Sequence, residues 1–523
     1  MNSLKHQFVL LFLTIGILAS SILAQTPALP IATPSPTPAA TPIGPQTIET
    51  LKGRIVERLM RADVRRGQIG VKIVSLNSGK IVFESNAEKY FMPASNMKNF
   101  TVAAALEKLT PDHRLITSVF ASSMPDVNGL VKGLRIFGRG DISISYSFND
   151  GDQFKGIDRL VDAIVAAGVK RIEGDIIGDE TFFTGNAVPG SWEWDDLQNY
   201  YGAEISALPL NDNVVSISVT PGPVGYGCTV KMTPYNFIYR INNLCTTTAA
   251  GTPRTLRVEK KIDRNNLEIT GTLPTGNAGF TGSISVSRPA ELFVLVLKQR
   301  LELKGVTVTG STRAVNNKIA LPVDMNVEIA KFESPPLSLI AAKTMKPSQN
   351  MYTETLLWTL GENLRSRSIT ASMQVSTRDS SELGIEAVKE FLRTIGAADD
   401  GIIQHDGSGL SRHNLITPEA VVRLYTYMGR QSRFSQSWRD SLTIGGVDGT
   451  LRNRFRGTHA SGNVRGKTGT IDQVSALSGY VTTAAGEQLV FSMIVNGVNS
   501  NPLRVGLIDE IVVALANFDG RID

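Results

Sequence analysis

The amino-acid sequence predicts a multi-domain α/β (α+β) protein in which one α/β domain is interrupted by a large β-rich insertion. The chain has 523 residues, of which 42% are hydrophobic and 19% charged, and this length suits about three globular domains. Helical and strand patterns alternate near both ends of the chain, whereas the middle contains mostly short strands and turns. We therefore predict that residues 47–115 and 331–523 form one domain. Residues 116–330, as two nested subdomains, would be inserted into it.

The N-terminus has the pattern of a secretory signal peptide. Lys5 and His6 precede an apolar run over residues 8–23, and the small residue Ala24 stands where cleavage is expected. An uncleaved membrane anchor is the alternative, but the run is short for a membrane-spanning helix. We predict that residues 1–24 are removed, that no transmembrane segment remains, and that the protein is exported to the periplasm or cell-wall space.

A linker, a helix and a hairpin follow. Residues 25–46 are rich in Pro, Thr and Ala, a composition that cannot form a core and predicts an extended linker. Apolar residues at helical spacing over 48–64 predict an amphipathic helix. Residues 70–74 and 80–83 are typical of two strands around a short turn, which indicates a hairpin.

The predicted insertion contains recognisable strands and one helix. Residues 134–141 and 172–179 are typical of strands that end in Gly-Asp turns, and residues 157–167 of a helix. Residues 192–213 concentrate aromatic and acidic side chains. This composition favours a binding rim and a packed loop equally.

The two cysteines, Cys228 and Cys245, also lie in the insertion. In an exported protein an even number of cysteines indicates a disulfide, and two buried free thiols are the alternative. No histidine accompanies them at the spacing of metal ligands, so we predict no metal site.

Helical patterns return after residue 330. They predict helices over residues 337–343, 351–364, 380–395, 417–428 and 503–518. Residues 476–481 and 488–495 are typical of two strands that form a late hairpin. The net charge of +5 comes from scattered basic residues without interleaved aromatic ones, so nucleic-acid binding is not indicated.

Ser95 and Lys98 are the first candidate catalytic pair. Pro93 suits the opening of a helix, on which a spacing of three places the serine hydroxyl and the lysine amine on one face. A serine needs a neighbouring base to act as a nucleophile, and a lysine is such a base when burial or nearby positive charge lowers its pKa. Because such pairs also occur by chance, this pair alone does not establish an active site.

Two further motifs lie after the insertion. Residues 348–350 (Ser-Gln-Asn) come directly before a predicted helix, where Asn350 alone would be an ordinary N-cap. Residues 466–470 (Gly-Lys-Thr-Gly-Thr) lead into an apolar strand, with Gly469 where another segment must approach the backbone closely. They imitate the end of a P-loop, but Ser461 stands at the position of its first glycine, which excludes a phosphate cradle.

Together, the order S-x-x-K, S-x-N and K-T-G is the signature of serine β-lactamases and penicillin-binding proteins. Over residues 47–520 the chain resembles one branch of them. This branch is the D-alanyl-D-alanine carboxypeptidase/endopeptidase family (peptidase S13, the class C low-molecular-mass penicillin-binding proteins). The long separation of Lys98 from Ser348 and the stretches 406–412 and 446–451 are similar to that branch. The resemblance implies a β-lactamase/DD-peptidase-like catalytic domain, an antiparallel sheet flanked by helices, around the insertion.

The resemblance also implies an activity. The enzyme would cleave the D-Ala-D-Ala end of peptidoglycan stem peptides without a metal or cofactor, and β-lactams would inhibit it covalently. Ser95 would be the nucleophile that forms an acyl-enzyme, and Lys98 its general base. Ser348 would relay a proton to the leaving amine, and Asn350 would hold Lys98 and the substrate amide.

Substrate binding would fall to the third motif. The residues so assigned are Lys467, Thr468, Gly469 and Thr470, with the terminal carboxylate bound by the lysine and the two threonines. The backbone N–H groups of Ser95 and Thr470 would form the oxyanion hole. We also expect the charge of Lys467 to lower the pKa of Lys98.

The motifs are also compatible with three alternative functions. A secreted serine β-lactamase of the same superfamily is disfavoured by the insertion and by the lack of an E-x-x-x-N stretch between Lys98 and Ser348 for a deacylating glutamate. A catalytically silent wall-binding scaffold is disfavoured because every expected catalytic group is present. A Ser-His-Asp hydrolase lacks its G-x-S-x-G elbow. Gln349 stands where aspartate is common in the family, which removes no catalytic group.

Overall fold

A computed structural model describes residues 46–261, 265–370, 377–397 and 400–522. The predicted signal peptide and nearly all of the predicted linker lie outside the described residues. Within these ranges, no helix combines the length and the apolar composition that crossing a membrane requires.

The described residues contain ten α-helices. They are α1 Ile48–Leu59, α2 Lys98–Leu109, α3 Lys155–Ala166, α4 Pro289–Leu303, α5 Leu337–Met345, α6 Asn350–Thr370, α7 Ser380–Thr394, α8 Pro418–Arg430, α9 Ser435–Ser441 and α10 Asn501–Ala516.

The same ranges contain 24 strands. They are β1 Gln68–Ser75, β2 Ile81–Ser85, β3 Ile116–Ala121, β4 Leu130–Val131, β5 Leu134–Phe137, β6 Arg171–Ile172, β7 Ile176–Asp179, β8 Val214–Thr220, β9 Thr229–Thr233, β10 Arg240–Asn243, β11 Thr246–Thr248, β12 Arg257–Lys260, β13 Asn266–Thr270, β14 Thr272–Pro274, β15 Phe280–Ser285, β16 Thr307–Val308, β17 Thr312–Val315, β18 Val327–Glu333, β19 Ile402–Ile403, β20 Leu415–Ile416, β21 Thr443–Ile444, β22 Arg465–Ile471, β23 Val474–Thr482 and β24 Gln488–Asn496.

One six-stranded antiparallel sheet unites the two ends of the chain. Its strand order is β2-β1-β24-β23-β22-β21, so the N-terminal hairpin pairs directly with the last strand. Side chains of β24 alternate between two cores. Leu489 and Phe491 share a core with α1 and α10, whereas Val490 and Ile494 share another with α2 and α8. The predicted antiparallel sheet flanked by helices is confirmed.

The first helix is shorter than predicted. It ends at Leu59 rather than at Val64, and a series of turns follows before β1. Val64 is nevertheless buried in the same core as Ile55. The apolar spacing therefore identified the buried positions correctly, although the last of them belongs to a turn.

The middle of the chain folds around a core of its own. Its largest sheet is mixed, with strand order β17-β7-β5-β3-β18. The chain enters this region through β3 and leaves through β18, and the two strands pair antiparallel. An insertion with neighbouring ends fits into a host domain without separating the strands of the host sheet. The domain boundaries at residues 116 and 330 remain a proposal.

Helix α4 was not predicted from the sequence. Its side chains Phe293, Val294, Val296 and Leu297 are all fully buried in the core of the middle region. In the first nine residues of this helix, 289–297, Glu291 is the one polar side chain, and such an apolar run has no amphipathic period. The periodicity on which the prediction depended is therefore absent from this segment.

The predicted disulfide is confirmed. Cys228 and Cys245 are bonded, with Cα atoms 5.4 Å apart, and the Cys228 N–H donates to the Cys245 carbonyl at 3.0 Å. Both cysteines belong to the core of the middle region. The alternative of two free thiols is excluded.

We expect the double variant Cys228→Ser/Cys245→Ser to lower the free energy of unfolding by about 3 kcal/mol, because the bond closes a short loop in the unfolded chain. Denaturant titration of the wild type and the variant measures the difference. Acylation by a β-lactam should not change, because the pair lies outside the core that carries the catalytic motifs. Equal unfolding midpoints would contradict this prediction.

Candidate active site

Ser95 lies on a 3₁₀ turn rather than on the expected α-helix. The turn spans Ala94–Met97, and α2 begins only at Lys98. Pro93 caps the start of this turn, and Ala94, the first residue within it, has a left-handed φ of 47°. Because a 3₁₀ turn has three residues per turn, side chains three apart are eclipsed. The predicted proximity therefore holds, and Lys98 Nζ lies 3.0 Å from Ser95 Oγ.

Lys98 is fully buried and has three hydrogen-bond acceptors around its amine. Besides Ser95 Oγ, its Nζ donates to Asn350 Oδ1 at 2.6 Å and to the Ser408 carbonyl at 2.7 Å. An ammonium has three N–H donors, which these three acceptors match. In the neutral amine, two N–H groups suffice for Asn350 and Ser408. The lone pair then faces the Ser95 hydroxyl.

Burial lowers the pKa of Lys98 to about 7, while the carboxylates of Asp406 and Glu354 act in the opposite direction. The expectation that Lys467 causes this shift was wrong. Burial and the charge of Lys98 instead lower the pKa of Lys467 well below its ordinary value. Of two buried lysines, the one without neighbouring negative charges loses its proton first. The repulsion between Lys98 and Lys467 therefore lowers the pKa of Lys467 rather than that of Lys98.

Lys467 connects the second and third motifs. Its Nζ donates to Ser348 Oγ at 2.8 Å and to the Thr468 carbonyl at 2.8 Å. Ser348 has a φ of 67°, in the left-handed region that non-glycine residues rarely adopt. Such a strained backbone often occurs at functional sites. Here it accompanies the contact between the Ser348 hydroxyl and Lys467.

Asn350 is the first residue of α6 and does more than cap a helix. Its Oδ1 accepts from Lys98, and its Nδ2 donates to the Tyr201 carbonyl at 2.9 Å. A side-chain amide carries two N–H groups. The contact of one of them with the Tyr201 carbonyl fixes the orientation of Asn350, so the other is left for a different acceptor. Tyr201 belongs to the middle region, so that region contacts the catalytic motifs directly.

The aromatic and acidic segment 192–213 combines both predicted characters. Trp192 is buried, and its Nε1 donates to Asp406 Oδ2 at 2.9 Å. Trp194, by contrast, is 67% exposed. The segment is therefore packed against the 406–412 loop at Trp192 and open to solvent at Trp194.

Strand β22 brings the third motif alongside Ser95. Its partner β21 pairs only as far as Gly466, so the following residues present an open edge. The Asn96 side chain donates to the Lys467 carbonyl at 2.9 Å. A Cβ atom on Gly469 would lie 2.5 Å from the Pro93 carbonyl oxygen and 3.2 Å from the Ser95 nitrogen. The predicted close approach at Gly469 is confirmed, and the turn that carries Ser95 is the approaching segment.

The two threonines of this motif lie in different environments. Thr468 is buried, and its hydroxyl donates to Thr450 Oγ1 at 2.7 Å. Thr450 belongs to the stretch 446–451, which is similar to the S13 branch. Thr470 is exposed on the same strand, opposite Ser475 of β23.

We expect Gly469→Ala to slow acylation of Ser95 about tenfold. The new methyl group must displace β22 from the Ser95 turn by a fraction of an ångström, and a misplacement of 1 Å costs about 100-fold. Gly506→Ala is the matched control, because a Cβ atom there meets no atom within 4 Å. Stopped-flow acylation by a chromogenic β-lactam measures both variants, and equal rates for them would contradict the prediction.

Two carboxylates near the motifs were missed as site residues. Glu354 accepts from the backbone N–H groups of Gly407 at 2.9 Å and Ser408 at 2.7 Å. It lies four residues after Asn350 on α6, a spacing that places both on one helix face and could have identified it. Asp212, in the middle region, accepts from Gln349 Nε2 at 3.2 Å. No local sequence pattern connects Asp212 with Gln349.

The profile of the D-Ala-D-Ala carboxypeptidase 3 (S13) family matches residues 51–518. This chain belongs to that family. It is 33% identical over 519 residues to a D-alanyl-D-alanine carboxypeptidase from Actinomadura sp. (strain R39), covering 97% of this chain and 92% of that protein. The S13 chain is therefore a serine D-alanyl-D-alanine carboxypeptidase, a hydrolase, as the motif order predicted.

Solved structures agree with the fold. The crystal structure of penicillin binding protein 4 from Haemophilus influenzae has a TM-score of 0.72 at 21% identity, covering 90% of this chain and 99% of that chain. A structure of the same protein complexed with a novel β-lactam has a TM-score of 0.66 at 22% identity, covering 88% and 98%. The S13 carboxypeptidase thus has the architecture of these penicillin-binding proteins.

Proposed function

We propose that this carboxypeptidase removes the terminal D-Ala from peptidoglycan stem peptides through an acyl-enzyme on Ser95. The observation that carries the proposal is the contact of a fully buried lysine amine, Lys98 Nζ, with the Ser95 hydroxyl at 3.0 Å. A pKa of about 7 leaves much of this amine neutral at physiological pH. A general base is most effective when its pKa lies near the working pH.

In the acylation step, Ser95 Oγ attacks the carbonyl carbon between the two D-alanines, and its proton passes to Lys98 Nζ. The negative charge that develops on the carbonyl oxygen would be stabilised by the backbone N–H groups of Ser95 and Thr470. The C–N bond then breaks. Ser348, which contacts Lys467, would give its hydroxyl proton to the leaving amine and regain the proton that Lys98 took from Ser95, so that free D-Ala departs and an ester remains on Ser95.

Substrate capture would depend on Lys467, Thr468 and Thr470. Burial keeps Lys467 a weak base in the free enzyme. The arriving carboxylate brings a negative charge that favours the protonated lysine. Binding would therefore take up a proton and form a charge-assisted hydrogen bond in the dry interior of the site.

In deacylation, water attacks the ester carbonyl and restores Ser95. We propose that Lys98, whose proton has passed through Ser348 to the leaving amine, is neutral again at this step and acts as the base for the attacking water. The same chemistry applied to a cross-linked stem peptide would make the enzyme an endopeptidase, because only the leaving amine differs. Release of monomers from cross-linked muropeptides would test this second activity.

β-Lactams are proposed covalent inhibitors, which the β-lactam complex of the H. influenzae protein supports. Ser95 would open the strained amide ring, and the retained ring would remain beside the ester. The chain between Lys98 and Ser348 has no E-x-x-x-N stretch to supply a deacylating glutamate. The adduct should therefore persist, whereas the natural D-Ala ester hydrolyses.

Intact mass spectrometry after addition of benzylpenicillin tests the proposed function. We expect one stoichiometric adduct that maps to the peptide containing Ser95 and is absent from Ser95→Ala. Rapid turnover without a lasting adduct would support a β-lactamase instead. No reaction with either benzylpenicillin or a D-Ala-D-Ala peptide would support a silent scaffold.

Export to the periplasm or cell-wall space is part of the same proposal, since the substrate lies outside the cytoplasmic membrane. The signal-peptide pattern of residues 1–24 supports it. N-terminal sequencing of the protein recovered from its native host should begin at or near Gln25.

A further inference from the structure

We propose that Glu354 and Asp406 are positioning residues that hold the Ser408 carbonyl against Lys98 and place two buried negative charges beside the Lys98 ammonium. This inference rests on the proposed role of Lys98 as the base. Neither carboxylate belongs to the three motifs that define the catalytic centre.

Glu354 binds the backbone directly next to the contact with Lys98. Its two oxygens accept from the N–H groups of Gly407 and Ser408, at 2.9 and 2.7 Å. The carbonyl of the same Ser408 accepts from Lys98 Nζ at 2.7 Å. The orientation of this carbonyl therefore depends on a carboxylate that clamps the preceding N–H groups.

Asp406 organises the rest of the loop. It is 1% exposed, and its two oxygens accept five hydrogen bonds. The donors are Gly409 N at 2.7 Å, Ser411 N at 2.7 Å, Asn414 Nδ2 at 2.8 Å, Trp192 Nε1 at 2.9 Å and Ser408 Oγ at 3.3 Å. A carboxylate with this many donors is fixed in position, and the loop folds around it.

The two carboxylates are the negative groups that act on the buried Lys98 amine. Lys98, Glu354 and Asp406 are each no more than 1% exposed. Around Lys98 the remaining neighbours are the neutral side chains of Ser95 and Asn350. An isolated buried ammonium would be strongly disfavoured. The two carboxylates therefore stabilise the Lys98 ammonium that forms during acylation.

Electrostatics agree with this geometry. Asp406 and Glu354 both raise the pKa of Lys98 against the effect of burial. Burial and the charge of Asp406 raise the pKa of Glu354, whereas its hydrogen bonds from Ser408 and Gly407 act in the opposite direction and favour the charged form. Replacing Glu354 with a neutral side chain removes one of the two charges that raise the pKa of Lys98.

The test compares Glu354→Gln with the wild type in the rate of acylation by benzylpenicillin as a function of pH. We expect the acidic limb of the Glu354→Gln profile to move to lower pH by about one unit, the size of shift that one neighbouring charge produces. The rate at the plateau should also fall, because a weaker base accepts the Ser95 proton less readily.

Two further variants separate charge from structure. Glu354→Asp keeps the charge but cannot reach both N–H groups, so its rate should fall while its acidic limb stays in place. Glu362→Gln removes a carboxylate from the same helix that contacts Arg365 and Ser380, and it should match the wild type.

Each outcome is decisive. A slower Glu354→Gln with an unmoved acidic limb would overturn the proposed role of the charge. If Glu354→Gln does not fold, an acidic shift in Glu354→Asp would overturn it equally, and an unshifted limb would support it. A wild-type protein that fails to acylate would instead overturn the proposed function, so the two failures are distinguishable.

Discussion

Replacing Lys98 with methionine is expected to slow acylation of Ser95 by about 10²–10⁴-fold, the contribution of a general base. Methionine fills nearly the same volume, so no cavity forms beside Ser95. It offers no lone pair to the serine hydroxyl, which Lys98 Nζ contacts at 3.0 Å. Stopped-flow measurement with a chromogenic β-lactam, together with D-Ala release from a peptide, gives the loss for both substrates.

Two measurements show that such a loss is chemical rather than structural. Lys108→Ala removes a lysine from the other end of α2, where it pairs with Glu390, and should acylate normally. The stability of Lys98→Met provides the second control. In the wild type the pKa of Lys98 falls from 10.5 to about 7 on folding. The unfolded chain therefore binds more protons between these pH values, and stability falls as the pH is lowered through this range.

Lys98→Met lacks this contribution, so its stability should depend less steeply on pH between about 7 and 10.5. Denaturant titration of both proteins at pH 7 and pH 9 measures this difference. Wild-type acylation by the methionine variant would exclude Lys98 as the base. An equally steep pH dependence of stability in the variant would contradict the burial argument.

Lys467→Ala is the second large effect. We expect the variant to lose about 1.5–3 kcal/mol of transition-state stabilisation, the range for hydrogen bonds to charged groups. The value of kcat/KM for a D-Ala-D-Ala peptide should therefore fall about 10- to 150-fold. The variant loses the proposed carboxylate contact and also the 2.8 Å contact with Ser348 Oγ. Steady-state release of D-Ala measures kcat/KM for the wild type and the variant.

A substrate with an amide in place of the terminal carboxylate separates these two losses. The wild type should process the amide poorly, and Lys467→Ala should discriminate little between the two substrates. If the variant kept the full preference for the carboxylate, the proposed binding role would be wrong, and the contact with Ser348 would be its main function.

Local chemistry explains why the motifs could be found in the sequence. Ser95 and Lys98 are three residues apart, and any helical turn near that period brings them together, whether it is α or 3₁₀. The requirement for a glycine at 469 likewise concerns a single backbone position that another segment approaches. These features depend on residue type and short spacing, so the family, the fold class and the central site residues could be predicted.

The tertiary structure decided what surrounds those residues. Lys98 contacts Asn350 and Ser408, which are 252 and 310 positions away in the chain. Burial, rather than the expected charge of Lys467, lowers the pKa of Lys98. Burial is a property of the packed sheet, helices and middle region together. No pattern of neighbouring residues records it.

The same reason explains why the sequence did not predict the contacts of Glu354 and Tyr201. Glu354 acts through a backbone loop more than fifty positions away, and the Tyr201 carbonyl reaches Asn350 from the inserted region. The sequence by itself determined which groups are proposed to carry the chemistry, because chemistry depends on residue type at short spacing. Only the tertiary structure decided how those groups are charged and held, because desolvation and long-range hydrogen bonds arise when distant segments pack together.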